Sequence, residues 1–205
     1  MKRLVIGGGG SPEQSAKIDQ EWVRMIDSDS PVLYIPWAQK ETNLSEAEAW
    51  FRDTYTPMLG GRAIHIAQID SELDRLQNYA SVYIGGGNTG RLINQIDKVG
   101  GRDRLRRYVE NGGLVYGGSA GAIILGKTLH TAPEVGETSQ NTDGLDLLNG
   151  YSIVCHYDGD SRRLPVLHAP IVALPEDGGL VYDGEDIRSI GGVIRYGDPN
   201  LEQRW

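Results

Sequence analysis

Short apolar runs alternate with longer amphipathic segments along most of the chain. Five runs before residue 117 have the length and composition of buried β-strands bounded by glycine or polar residues. The predicted strands cover residues 4–6, 32–35, 63–66, 81–84 and 114–116. Beyond residue 127 the pattern loosens, and short strands are predicted at 151–155, 171–174, 180–182 and 193–196.

Segments with helical spacing separate the early strands. The predicted helices cover residues 15–26, about 45–58, a stretch from about 91, and 104–110. Ser45 and Glu48 match a capping box, which predicts that the second helix starts there. Strands that alternate with helices indicate a three-layer α/β fold, in which helices cover both faces of a mostly parallel sheet.

Length and composition restrict the class of protein. A chain of 205 residues fits one domain, so we expect residues 1–205 to form a single domain. The net charge of −8 argues against nucleic-acid or anionic-membrane partners. No long apolar stretch occurs, and we expect a cytoplasmic protein. The one cysteine, Cys155, excludes an internal disulfide and a cysteine-based zinc cluster.

Three glycine-rich turns, at 7–10, 85–90 and 117–121, each follow a predicted strand. Ligands of parallel sheets bind at the carboxyl ends of the strands, so these turns are expected to line one crevice. The third turn has the spacing G-x-S-x-G with Ser119 at its apex, and a helix follows. That arrangement suits a nucleophilic serine in acyl chemistry, although a simple glycine-rich turn would give the same pattern.

Two segments match nucleotide-binding motifs. Residues 121–128 fit the P-loop pattern, but their four apolar middle residues are typical of a buried helix. Residues 85–90 fit G-x-G-x-x-G between a strand and a helix. No acid stands at the end of the next strand, since Asp103 lies in a polar segment, and this weakens a dinucleotide interpretation.

A serine nucleophile needs a base and an orienting acid. His156 directly follows the apolar run 151–155 and is the preferred base among His65, His130, His156 and His168. Glu176 follows the run 171–174 and is a candidate acid. Its rivals are Glu134, Asp143, Asp146 and Asp158. The adjacent Arg162 and Arg163 are candidates to bind a substrate carboxylate.

Taken together, these segments resemble the dipeptidase E and cyanophycinase family of serine peptidases. The resemblance runs from residue 4 to about 192. It rests on four segments in order, which are Gly85–Asn88, the Ser-Ala-Gly-Ala of 119–122, the Asp-Gly-Leu-Asp-Leu-Leu of 143–148, and Pro175-Glu176. The family has a flavodoxin-like fold related to class I glutamine amidotransferases, so the resemblance implies that fold here.

The resemblance also implies roles for residues. Ser119 would be the nucleophile, His156 the base and Glu176 the acid, as in cyanophycinase-type members, while dipeptidase-type members point to position 134, here Glu134. The N–H groups of Gly87 and Ala120 would form the oxyanion hole.

The substrate side follows from the same family. Asn88, Arg162 and Arg163 are candidate substrate-binding residues. The segment after His156 is shorter than in family dipeptidases, which argues against strict specificity for amino-terminal aspartate.

The sequence therefore predicts a serine peptidase that hydrolyses a small peptide or isopeptide bond through an acyl-enzyme, with acidic dipeptides as one substrate class. No metal or organic cofactor is expected, and the partners expected are a small peptide and at most a second copy of the chain. The competing hypothesis is a noncatalytic or nucleotide-binding module built on the same α/β sheet.

Overall fold

The computed structural model describes residues 1–68, 72–132, 134–135, 139, 141–160, 162, 164 and 170–197. The strands are β1 (Arg3–Gly7), β2 (Val32–Ile35), β3 (Ile64–Ile66), β4 (Ser81–Ile84), β5 (Leu114–Gly118), β6 (Ser152–Val154), β7 (Ile171–Ala173), β8 (Gly179–Tyr182), β9 (Ile187–Ile190) and β10 (Ile194–Tyr196). The helices are α1 (Pro12–Met25), α2 (Leu44–Tyr55), α3 (Thr89–Lys98), α4 (Gly101–Glu110) and α5 (Ala120–Leu125).

Seven of the strands form one sheet in the order β3-β2-β4-β5-β1-β8-β9. Its first five members are parallel, whereas β8 and β9 are antiparallel to their neighbours. If β2 is counted as the first strand, the order β3-β2-β4-β5 corresponds to the 2-1-3-4 of a flavodoxin-like sheet. Strand β1 then occupies the fifth position. A smaller sheet, β10-β7-β6, holds the segment that carries His156.

Helices cover both faces of the large sheet. On one face α1 and α2 pack an aromatic-rich core that includes Trp22, Phe51 and Tyr55. On the other face α3, α4 and α5 pack an aliphatic core around residues such as Ile93 and Ile124. The predicted three-layer α/β fold is confirmed. Because β1 to β5 are parallel, their carboxyl ends all lie at the same end of the sheet.

Several element boundaries differ from the sequence expectation. The prediction of a capping box at Ser45 is wrong. A short 3-10 helix, Glu41–Asn43, runs directly into α2, so Ser45 lies inside the first turn of that helix. The real capping box joins Ser11 and Gln14 at α1, which begins at Pro12 rather than at residue 15. Strand β9 and the 3-10 helix Glu72–Asn78 were not predicted.

The segment that matches the P-loop pattern lies mostly in a helix. Residues 121–125 lie within α5 and all are buried, so their amides are not arranged as a phosphate-binding loop.

Within the described part of the chain, no helix is both long and apolar enough to cross a membrane.

Candidate active site

Ser119 stands at a sharp turn between β5 and α5. Its backbone has φ 51° and ψ −113°, a conformation that costs free energy for a residue with a side chain. The turn is possible because its neighbours are glycines. A Cβ on Gly121 would lie 2.0 Å from the carbonyl oxygen of Ile84, and one on Gly117 would lie 2.7 Å from the carbonyl oxygen of Gly121. This sharp turn places the Ser119 hydroxyl beyond the carboxyl end of β5.

The glycine turn after β1 connects Ser119 to His156. The N–H of Ser119 donates to the carbonyl of Gly7 at 3.2 Å, and the N–H of His156 donates to the carbonyl of Gly8 at 3.1 Å. Gly9, with φ +99°, passes so close that a Cβ would lie 2.6 Å from the His156 ring and 2.8 Å from the Ser119 Cβ. The turn thus fixes both backbones and leaves just enough room for the two side chains.

Three predicted side chains meet in a row at this edge. The Ser119 Oγ lies 2.9 Å from His156 Nε2, and His156 Nδ1 lies 3.3 Å from Glu176 Oε1. The His156 and Glu176 side chains each keep 49% of their surface exposed. His156 has φ 52°, so a second strained residue stands opposite Ser119. This is the order of contacts found in serine, histidine and acid triads.

A second set of contacts holds the Glu176 carboxylate. Its Oε2 accepts a hydrogen bond from Gln14 Nε2 at 2.9 Å, and its backbone carbonyl accepts one from the N–H of Gly10 at 3.2 Å. The hydrogen bond from Gln14, followed by that from His156, lowers the pKa of Glu176 below its ordinary value. The carboxylate therefore stays ionised and oriented toward His156.

The second glycine turn borders the serine from the opposite side. A Cβ on Gly86 would lie 3.1 Å from the Ser119 Cβ, and the Gly86 carbonyl accepts a hydrogen bond from Gln39 Nε2 at 2.8 Å. Among the described residues, the N–H of Gly87 has no acceptor. The N–H of Ala120 opens a helix and so has no partner within it. In the part of the chain that the structure describes, these two N–H groups beside Ser119 thus have no acceptor.

Comparison with known proteins identifies the family. The sequence model of peptidase family S51 matches residues 4–196. The chain belongs to peptidase family S51. It is therefore classed with the serine peptidases.

A curated relative of this S51 chain is the peptidase E of Nostoc sp. (strain PCC 7120), which is 31% identical over 149 residues. The match covers 65% of this chain and 61% of the Nostoc protein, which is less than two thirds of its length.

Two solved structures share the fold. One is a candidate peptidase E from Listeria monocytogenes EGD-e, with a TM-score of 0.71 and 19% identity, covering 93% of this chain and 98% of that one. The other is a peptidase from an acI-B1 actinobacterium, with a TM-score of 0.71 and 15% identity, covering 96% and 97%.

The rival acid of the S51 chain, Glu134, contacts the start of α3. The Glu134 Oε1 accepts a hydrogen bond from the N–H of Thr89 at 3.0 Å, at the start of α3. Burial acts to raise the pKa of Glu134, but hydrogen bonds, led by that from Thr89, leave the pKa below its ordinary value. Asn88 caps the same helix, since its Oδ1 accepts from the N–H of Arg91 at 2.7 Å. Both side chains thus stabilise the helix that follows the second glycine turn.

Of the two arginines predicted to bind a substrate carboxylate, the structure describes Arg162. Arg162 is 89% exposed and its guanidinium is paired with Asp160, at 2.7 and 3.0 Å. Arg163 lies outside the described residues, as does His168. The remaining histidines, His65 in β3 and His130, are exposed.

Two glutamines at the site were not found from sequence. Gln14 holds Glu176, and Gln39 holds Gly86. Gln14 had a signal, because Ser11-Pro12 followed by a glutamine at the third helical position matches a capping box. Gln39 had none, since it stands in a loop and contacts a turn far along the chain.

Cys155 precedes His156 and its thiol faces the fold. Its Sγ lies 3.5 Å from the carbonyl oxygen of Ser119. Burial raises the pKa of the Cys155 thiol to about 12, so it is a poor nucleophile near neutral pH.

Within the described residues, no three His, Cys, Asp or Glu side chains converge on a metal position.

Proposed function

We propose that this S51 peptidase hydrolyses small peptide or isopeptide bonds through an acyl-enzyme formed on Ser119. The observation that carries the proposal is the continuous row of contacts from the Ser119 hydroxyl through His156 to Glu176, at 2.9 and 3.3 Å. The row stands at the carboxyl ends of parallel strands, where ligands of such sheets bind.

Each contact supports one step. His156 donates its Nδ1–H to Glu176, which leaves Nε2 unprotonated to accept the Ser119 proton as Oγ attacks the substrate carbonyl. The imidazolium then gives that proton to the leaving amine as the C–N bond breaks. Water enters, loses a proton to His156, and attacks the ester carbonyl. The imidazolium returns that proton to the Ser119 Oγ as the ester C–O bond breaks, so the carboxylic acid product leaves and the Ser119 hydroxyl is restored.

The developing oxyanion needs fixed donors. The N–H groups of Gly87 and Ala120 flank Ser119 and are the donors that we assign to it. Each donor of this kind contributes about 3 kcal/mol of transition-state stabilisation in a comparable site. The tight contact of Gly87 with the loop after β2 supports the assignment, since a Cβ there would lie 2.8 Å from the carbonyl oxygen of Ala38.

Labelling with a serine-directed fluorophosphonate tests the nucleophile. Intact-protein mass spectrometry should show one adduct on the wild type and none on Ser119→Ala. Ser45→Ala is the matched control, because Ser45 is an exposed serine of α2, and it should label like the wild type. An adduct that persists on Ser119→Ala, or a wild type that never labels, would contradict the proposal.

A pair of substitutions tests the acid. Glu176→Gln should lower kcat by about a hundredfold or more, because the neutral amide no longer stabilises the imidazolium. Glu134→Gln should act mainly on the stability of α3 and lower kcat far less. The assignment of Glu176 fails if the two variants show the reverse order of kcat on the same dipeptide.

A further inference from the structure

A cavity of about 360 Å³ opens directly beside the proposed nucleophile. Ser119 and Gly86 form one side of it, and Tyr34, Tyr83 and Trp50 supply aromatic walls. Its volume lies at the low end for small-molecule sites, which suits one or two amino-acid residues. Whatever fills this cavity sits next to the scissile carbonyl, so its lining sets substrate preference.

One face of α2 forms the outer wall. Asn43, Glu46, Ala47 and Trp50 all line the cavity, and their spacing of three and four residues places them on the same side of the helix. Trp50 keeps 41% of its surface exposed, whereas Trp22 and Trp37 are buried. An aromatic ring held open on a cavity wall is available to a bound group.

The charge of this wall is negative. Glu46 is the only charged side chain among the described residues that line the cavity. Within the same part of the chain, its carboxylate has no hydrogen bond or ion pair, unlike Glu48, which pairs with Arg52 at 2.9 Å. Arg162, the described cation that was expected to bind a substrate carboxylate, is paired with Asp160 and does not line this cavity.

We propose that this wall of α2 binds a cationic group of the substrate, an ammonium or a guanidinium, between the Glu46 carboxylate and the Trp50 ring. A carboxylate and an indole face both attract such a group, the first through a charge-assisted hydrogen bond and the second through its π system. The proposal rests on the proposed function and specifies its substrate class. The cation is either the free α-ammonium of the substrate or a basic side chain.

The test compares dipeptides that differ in the charge of the side chain or of the amino terminus. The series pairs lysine, norleucine or aspartate with alanine in both residue orders, each with a free and an acetylated amino group. Wild type should cleave the preferred free cationic substrate with a kcat/KM about tenfold above its uncharged counterpart, as expected for one partly exposed carboxylate and an aromatic face. Glu46→Gln should remove that preference, and Glu48→Gln, on the same helix, should keep it.

The pattern of loss distinguishes the two sources of the cation. A lysine-over-norleucine preference that disappears in Glu46→Gln assigns the cation to the side chain. A loss on acetylation that disappears in Glu46→Gln assigns it to the α-ammonium. Preferences that Glu46→Gln leaves unchanged, or a wild type that prefers neither a basic side chain nor a free amino group, would overturn the proposal, while hydrolysis itself still supports the peptidase.

A binding measurement covers the case in which no dipeptide is cleaved. Calorimetry on Ser119→Ala should show tighter binding of lysine amide than of its Nα-acetylated form if the α-ammonium is the cation, and tighter binding of lysine amide than of norleucine amide if the side chain is the cation. Equal binding of all three would overturn the subsite. Failure of Ser119 to label with the fluorophosphonate would instead count against the proposed function.

Discussion

At the scale of single residues, Gln39 is the side chain that orients the peptide beside the nucleophile. It donates to the Gly86 carbonyl, and the Gly87 N–H belongs to the same peptide unit. In a trans peptide the carbonyl and the N–H point in opposite directions, so fixing one fixes the other. Gln39, which also lines the cavity beside Ser119, therefore acts on the proposed oxyanion donor through the peptide that it holds.

Replacing Gln39 with leucine should lower kcat about tenfold or more and leave KM nearly unchanged, because the donor matters most in the transition state. Steady-state kinetics on one dipeptide gives both constants. Gln95→Leu is the control, since Gln95 is partly buried on α3 and does not contact the turn. An increase in KM with an unchanged kcat would show that Gln39 only binds substrate.

Gln14 has a comparable effect on the acid. Its hydrogen bond is the largest cause of the lowered pKa of Glu176, so Gln14→Leu should raise that pKa toward the ordinary glutamate value. Carboxyl-carbon NMR titration of Glu176 measures the change directly. Gln20→Leu, an exposed position on α1, should leave the Glu176 titration where it is in the wild type.

The lowered pKa of Glu176 also affects how activity depends on pH. Glu176 must be ionised to support His156, and a lowered pKa keeps it ionised as the pH falls. In Gln14→Leu the Glu176 carboxylate protonates at a higher pH, so the acid-side loss of kcat should begin at a higher pH. A profile identical to that of the wild type would show that Glu176 ionisation does not limit the reaction.

Sequence reasoning found Ser119, His156 and Glu176 because each stands just beyond a buried strand, and strand ends converge at one edge of a parallel sheet. Their catalytic roles stay predictions, but the structure brings the three together. Sequence reasoning did not find Gln39, because that contact depends on how a loop packs against a distant turn, which local pattern does not encode. It expected Arg162 to bind substrate, and in the structure Arg162 pairs with Asp160, two residues away.

At the scale of elements, the fit of α5 against β4 permits the sharp turn at Ser119. Gly121, in the first turn of α5, lies against the backbone of Ile84, and an added Cβ would come within 2.0 Å of that carbonyl oxygen. A backbone atom cannot rotate away as a side chain can. The helix must therefore move off the sheet if the glycine is replaced.

Gly121→Ala should destabilise the protein by about 2 to 3 kcal/mol, the cost of overpacking a tight contact, and should lower Tm. Gly192→Ala is the matched control, because an added Cβ there meets nothing within 4 Å. It should change stability by less than about 0.5 kcal/mol. Equal stabilities in urea unfolding would contradict the tight approach of α5 to β4.

Element prediction succeeded where one pattern dominated. The five parallel strands are short and mostly apolar, and all five were placed correctly to within two residues. Strand β9, with the sequence Ile-Arg-Ser-Ile, was missed because it lies at the sheet edge and is partly exposed. The start of α2 was misplaced because Asn43, at the end of a 3-10 helix, precedes it without any side-chain cap.

At the scale of the whole molecule, a buried polar network connects α1 to the centre of the sheet. The Asp19 carboxylate is 1% exposed and accepts hydrogen bonds from the hydroxyls of Ser15 at 2.7 Å and Tyr116 at 2.8 Å. Nearby, Trp22 Nε1 donates to Ser81 Oγ at 2.8 Å. The layers therefore meet through specific polar contacts as well as through apolar packing.

This network makes stability depend on pH. Burial raises the pKa of Asp19 above its ordinary value, although the hydroxyls of Ser15 and Tyr116 act against the shift. The folded state then holds the Asp19 proton more tightly than the unfolded state does. Its contribution to stability is fully present below the unfolded pKa and is lost as the pH rises through the folded pKa.

Asp19→Asn should remove this dependence, because an amide does not ionise in that range. Its oxygen accepts from one of the two hydroxyls, and its NH2 donates to the oxygen of the other. Urea unfolding at a series of pH values from about 3.5 to 8 gives the free energy of unfolding of both proteins. The variant should gain on the wild type as the pH rises. Ser15→Ala keeps the carboxylate but removes a donor that stabilises its charge, so its stability should fall faster with pH than that of the wild type. A constant difference between Asp19→Asn and the wild type would mean that the carboxylate is equally ionised in both states, and the joint between α1 and the sheet would then be insensitive to pH.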